Sequence, residues 1–424
     1  MKLRITFRTD PMMNRTLLLA LVLSLPLPAT AVDANWSGFA TLGYAQSDKA
    51  YRYQRWIDDG GTLMRDSVVG GQLDLRFSPQ WGAAIQGKIA PSDNHDASVS
   101  GEISWAFISW RPQDDVLVRL GKLRVPMMLN TENQDVGVTY DFARLPIEVY
   151  SIIPTVDFVG GSIAKSWFVR DLEWTLEAYA GQAKSHTRYY GREVTDTTSA
   201  PGSWFLESDV QSGGLVVSLR GVENSFRAGV HEARVSRAGG IVGNVPFVSL
   251  GPGIGYYDIK NGQRQDSFRI PVQSVGVSLM LPWHLRMISE FARMRFSGAS
   301  EGLSRWGGYL ALSRQFGDWT PYVSFAKTRS TGSSLRFYQD VDANTRFGPT
   351  LNNYQKLNAD IIAPYDQWTG ALGASYKVGA GGLLKAEWAQ TNTGIVSSFV
   401  DAPSGGDSAN KRINIFSFSY SLSF

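Results

Sequence analysis

The sequence predicts an all-β protein, a transmembrane antiparallel β-barrel of about 16 strands, on three observations. Apolar and polar residues alternate with a period of two through most of the chain. The connections between alternating runs are short and long by turns. The last strand is aromatic or apolar on every second residue, up to the terminal Phe424.

The N-terminus sets the expected compartment. Lys2, Arg4, Arg8 and Arg15 precede an apolar run from Leu17 to Leu27, and Ala29-Thr30-Ala31 supplies a small-x-small cleavage pattern. That order of features reads as a secretory signal peptide over residues 1–31, with residues 32–424 as one barrel domain. Met12 and Met13 offer an alternative start. The apolar run falls short of the roughly 20 residues that a spanning helix needs. No later segment reaches that length either, but a barrel spans with alternating residues and shows no long apolar block. A mean hydropathy of −0.15, beside 13 Trp, 17 Tyr and 21 Phe, fits that exception.

The chain has no cysteine, so no disulfide can stabilise it after export. The leader takes with it four of the 41 basic residues and one of the 38 acidic ones, leaving 37 of each. The pI of about 8.9 therefore belongs partly to the leader and implies no nucleic-acid partner.

Gln72-Leu73-Asp74-Leu75-Arg76-Phe77 alternates strictly, and after Ser78-Pro79-Gln80 the pattern resumes with Ala83, Ile85 and Ile89 on one face and Gln86 and Lys88 on the other. Successive side chains of a strand point to opposite faces, so each such run has one apolar and one polar side. The expected strands are 35–46, 68–79, 81–90, 99–111, 114–121, 159–167, 172–182, 208–220, 224–235, 270–282, 284–296, 304–316, 319–329, 367–378, 381–391 and 411–424. Parity is ambiguous near Ser162, Leu310 and Tyr322.

Between these strands, tight links such as Arg170-Asp171, Pro282-Trp283 and Gly317-Asp318 alternate with long ones at 47–66, 122–158, 183–207, 236–269, 330–366 and 392–410, with shorter members near 91–98 and 297–303. Short periplasmic turns at one rim and long external loops at the other produce that rhythm. In the final strand Phe416, Phe418, Tyr420, Leu422 and Phe424 share one face, and Ser417, Ser419, Ser421 and Ser423 the other.

The terminal strand, the strand–loop rhythm and the long third connection together resemble the 16-stranded trimeric general porins of Gram-negative outer membranes. The resemblance implies a water-filled channel for passive diffusion of small hydrophilic solutes and ions, and a homotrimer set among outer-membrane lipid and lipopolysaccharide. It also implies that Phe416, Phe418, Tyr420, Leu422 and Phe424 form the signal read by the barrel-assembly machinery. In that family the third loop folds inward and narrows the pore; the matching segment here is 122–158. The acidic Pro-Glu-Phe-Gly-like motif of enteric members is absent, so their cation preference does not carry over.

If the apolar faces meet lipid, parity points Arg76, Lys88, Arg119, Arg220, Arg227, Arg286, Lys377 and Lys385 into the lumen. With them go Asp74, Glu102, Glu173, Glu177, Glu290 and Glu387. The constriction segment adds Lys122, Arg124 and Arg144 against Glu132, Asp135, Asp141, Glu148 and Asp157. These charges either set a transverse field that sorts ions by sign or pair off to anchor the loop. Trp105, Phe107, Trp174 and Trp388 fall on the expected lipid side.

An enzyme is the first alternative. The cluster Asp93-Asn94-His95-Asp96 could hold a metal or act as base, but it reads as a solvated turn. No Gly-x-Ser-x-Gly, His-Glu-x-x-His or P-loop is present, so no metal or cofactor is expected. The second alternative is a channel with a saturable site for an anion or a sugar. A plugged barrel is disfavoured because no plug-sized domain precedes the first strand.

Overall fold

The computed structural model describes residues 5–7, 32–195, 201–252, 254–258, 261–296, 304–344 and 348–424. Most of the expected signal peptide lies outside the described residues; Ile5–Phe7 forms a short ladder parallel to Val99–Gly101.

Among the described residues, sixteen antiparallel strands close into one barrel. They are β1 (Asp33–Ser47), β2 (Val68–Arg76), β3 (Trp81–Pro91), β4 (Val99–Gln113), β5 (Val116–Arg124), β6 (Asp157–Val169), β7 (Leu172–Gly191) and β8 (Gly202–Arg220). The second half comprises β9 (Ser225–Asn244), β10 (Gln263–Leu281), β11 (Leu285–Met294), β12 (Arg305–Arg314), β13 (Trp319–Ser330), β14 (Tyr365–Val378), β15 (Gly382–Ser397) and β16 (Arg412–Ser423). Each strand pairs with its chain neighbour, and β16 returns to β1 to close the ring, with Phe424 and Gly38 exchanging backbone hydrogen bonds. Closure leaves no open edge, as an apolar solvent requires.

Strands run past their expected ends on the long-loop side: β7 reaches Gly191, β9 reaches Asn244 and β10 begins at Gln263. There most residues are polar or small, so alternation fades while the hydrogen-bond ladder continues. The connections also hold structure that periodicity does not show. A small hairpin pairs Phe247–Gly251 with Ile254–Tyr257. Helices α1 (Gly332–Asp342) and α2 (Pro349–Ile362) occupy the link before β14. Thr331 caps α1 by accepting from the Ser334 amide, satisfying one of the free N–H groups at the helix start.

The outer face is apolar over the barrel's middle. Leu120, Leu215, Phe325 and Leu372 are all more than half exposed, which suits contact with lipid acyl chains and not with water. Cross-strand aromatic stacks Trp81–Trp110 and Trp167–Trp174 lie toward the short-turn rim, while Phe291–Trp306 and Phe325–Trp368 lie toward the other. These are the amphipathic girdles expected where hydrocarbon meets water.

Trp105 and Phe107 correct the expected parity. A register shift between Gln86 and Gly87 bulges β4 at Ser104, so two residues oppose one on β3. Past the bulge the faces exchange. Trp105 and Phe107 then turn inward, beneath the guanidinium groups of Arg124 and Arg119 respectively. Trp174 and Trp388 keep the outward side. The ambiguous positions resolve as Ser162 and Tyr322 inward and Leu310 outward.

Candidate functional site: the lumen and its internal segment

The segment between β5 and β6 carries the chemistry of the interior. Lys122 and Arg124 belong to the end of β5 and Asp157 opens β6, so the connection proper covers 125–156, shorter than expected at both ends. It contains a 3₁₀ turn at Gly137–Thr139 and one helical turn at Ile147–Tyr150.

On one side the segment is held by alternating charges. Lys88 lies 2.9 Å from both Glu102 and Asp135; Asp135 also binds Arg124; Arg124 lies 3.0 Å and Lys122 3.8 Å from Asp157. A second string joins Glu177 to Arg119 at 2.6 Å and places Glu132 3.8 Å from Arg119 and 3.6 Å from Arg227. Arg227 also donates to the Met128 carbonyl.

The far wall holds the same segment through backbone and carboxylate contacts. Lys385 donates to the carbonyls of Gly137 and Phe142, at 2.6 and 2.9 Å, and sits 4.0 Å over the Tyr140 ring. Glu290 accepts from the Leu129 amide and from the hydroxyls of Tyr150 and Tyr309. Glu148 accepts from Gln367 and Thr369, and Asp141 from Ser375. Tyr322 accepts from the Ala143 amide and donates to Glu387. Arg144 grips Asp66, a residue of the first long loop.

Thus most of the named charges come together through this segment, and they do so as partners. Pairing fits the anchoring reading of these groups better than a free transverse field. Four named residues stand apart at the short-turn rim. Arg76, Arg220 and Lys377 are exposed, and Arg286 donates to Ser278 and to the Glu223 carbonyl of a turn. Asp74 accepts from Gln72 on the wall, and Glu173 faces Arg220 across the β7–β8 ladder.

Part of the interior is apolar, unlike the uniformly polar lumen that parity alone suggests. Val125, Met127, Phe142, Val149 and Ile152 of the segment pack on inward Val210, Ile270, Val272 and Met294. Gly307 lets the helical turn come close: a Cβ there would lie 2.0 Å from the Glu148 carbonyl oxygen. Strands apolar on both faces lose their alternation, which is why the inner side of β10 is illegible in sequence.

Two cavities flank the segment. One, of about 370 Å³, lies toward the short-turn rim beside Ser37, Gln72, Gln86 and Val136. The other, of about 460 Å³, lies toward the long loops, above Ile147 and Pro154. At the outer rim Asp96 accepts from Arg55 at 2.7 Å, Arg188 at 2.9 Å and Ser203 at 2.6 Å, and Arg188 continues to Asp401. Burial opposes its ionisation, but Ser203, Arg188 and Arg55 together hold the Asp96 carboxyl below the ordinary carboxylate range. The sequence pattern predicts a solvated turn at Asp96 beside His95, whereas Asp96 ties loops together. His95 only accepts from the Ala97 amide, and no group of metal-ligating side chains occurs among the described residues.

Neither a family model nor a curated protein matches the sequence. Similar folds are found among solved structures. An anion-selective porin from Comamonas acidovorans superposes with a TM-score of 0.52 at 11% identity, covering 93% of this chain and 100% of that one. The outer membrane channel DcaP of Acinetobacter baumannii gives 0.51 at 11% identity, covering 94% and 99%. The trimer form of OmpT, an outer membrane protein of Vibrio cholerae, gives 0.52 at 9% identity, covering 93% and 100%. With its lipid-compatible exterior and closed ring of strands, the chain has the fold of the bacterial outer-membrane porins.

Proposed function

We propose that this barrel is an outer-membrane channel through which small hydrophilic solutes and ions diffuse passively. One observation carries the reading: residues 125–156 are tied to Lys88 of β3 and to Glu290 of β11, eight strands away around the barrel, between two cavities of several hundred Å³. A structural plug would fill those spaces. A segment pinned at its flanks narrows a pore and leaves a passage beside it. In this reading 122–158 is the constriction, and its paired charges fix its position first and tune ions second.

The trimer form of one structural neighbour supports a homotrimer. The exposed Phe416, Phe418, Tyr420 and Phe424 support recognition by assembly machinery after export by the leader.

Liposome swelling tests the proposal. Vesicles carrying folded protein should swell in solutions of small sugars and progressively less in larger ones. Vesicles that swell no faster than protein-free controls would contradict it.

A further inference from the structure

Arg305 is a buried cation of the barrel interior that touches the segment yet has no counter-ion among the described residues. It stands at the long-loop end of β12, is 95% buried, and lines the 460 Å³ cavity. Its Nη2 donates to the Ser151 carbonyl, while Nε and Nη1 have no hydrogen-bond partner among the described residues. Its guanidinium lies 4.0 Å from the Tyr365 ring centre and 6.0 Å from that of Phe399. No ion pair of Arg305 occurs among the described residues.

The surroundings contrast with it. Arg55 and Arg188, on the same cavity, are satisfied by Asp96 and Asp401, and Arg65 by Gln54 and Asp66. Among the described residues the lining contains no aspartate or glutamate. One wall of the cavity is apolar, formed by Ile152, Val210, Val235, Ile270, Met294 and Phe296. A buried charge without a counterion is costly, and the cost falls when an anion enters.

We infer that this cavity is a binding site for an organic monocarboxylate with an apolar body, its carboxylate held by Arg305 and its body laid on the apolar wall. The Tyr365 ring lies against the guanidinium and shares the cavity lining with it and with Phe399, so a ligand carboxylate would meet Arg305 beside an aromatic surface. The site deepens the channel reading by naming the class of solute, and rests on it only for how the solute reaches the cavity.

The test uses the full folded barrel and benzoate as probe, with benzyl alcohol as the neutral analogue and acetate as the anion without a body. Calorimetric titration in detergent should show saturable benzoate binding, with both controls weaker. Arg305→Gln should weaken benzoate by at least about tenfold, the effect of losing a charge-assisted hydrogen bond, and Arg305→Lys should restore much of it. Heat-modifiable gel mobility verifies the fold of each variant. Benzyl alcohol binding as tightly as benzoate, absence of benzoate binding, or unchanged binding by Arg305→Gln would each overturn the inference. Bilayer recordings of the same protein separate the two readings: conductance steps without benzoate binding sink this inference alone, and benzoate binding without steps sinks only the channel.

Discussion

Arg144 and Asp66 join the internal segment to the first long loop through a buried pair, with Arg144 Nε 2.8 Å from Asp66 Oδ1 and a second contact from Nη2. Both side chains are nearly inaccessible to solvent. The pair ties a loop at the rim to a segment at the middle of the lumen, and Lys385 and Glu387 stand close by on the wall.

Asp66→Ala removes one partner and leaves a buried guanidinium, a change that costs about 3 kcal/mol or more. The melting temperature should fall, and the freed segment should make open-channel current noisier. A thermal melt and a bilayer trace together check this; unchanged noise in a folded variant would show that the pair does not restrain the segment.

Asp135 lies between Lys88 and Arg124, each of which it neutralises in part. Asp135→Asn leaves the lumen more positive by one charge at nearly constant shape. The reversal potential in a salt gradient should shift toward anions, and the shift should shrink at high salt as screening grows. A shift toward cations would contradict the placement of this group beside the ion path.

Gly307→Leu tests the close approach of the helical turn. Any Cβ at this position meets the Glu148 carbonyl, so the segment must move away from β12. Overpacking of this kind costs about 1–3 kcal/mol. Single-channel conductance should change as well, because the displaced turn borders the larger cavity.

A pH response follows from Asp360 of α2. Burial pushes its carboxyl up to about 7, with Asp342 and Glu193 adding to the rise and Arg192 opposing it. A raised folded-state value means the protonated form favours the folded state of the link that holds α2. That contribution is complete below about pH 4 and is lost as pH climbs through about 7. Hydrogen exchange of residues 349–362 should therefore be slower at about pH 5 than at about pH 8, after correction for intrinsic rates. Asp360→Asn should flatten the difference.

The sequence carries the barrel because its physics is local: a strand between lipid and water must alternate, and Phe416 to Phe424 do so without a break. Wall charges such as Lys88, Arg119, Glu177, Glu290 and Lys385 follow from the same parity. Trp105 and Phe107 escape it because one bulged residue, Ser104, exchanges the faces and leaves no mark in composition. Partners from distant loops are illegible for a different reason. Nothing local joins Asp66 to Arg144, Asp96 to Arg188, or Ser151 to Arg305; the closed ring of strands brings them together. The two helices before β14 are amphipathic but short, and a search for period-two alternation passes over them.

Single-channel recording in a planar lipid bilayer addresses the central claim most directly. Folded protein should produce discrete ohmic conductance steps, grouped in threes if the barrels are trimeric, and the steps should persist across the voltage range where a leak would drift. Correctly folded, heat-modifiable barrel that inserts and yet gives no steps would contradict the account of a channel narrowed by its own third loop.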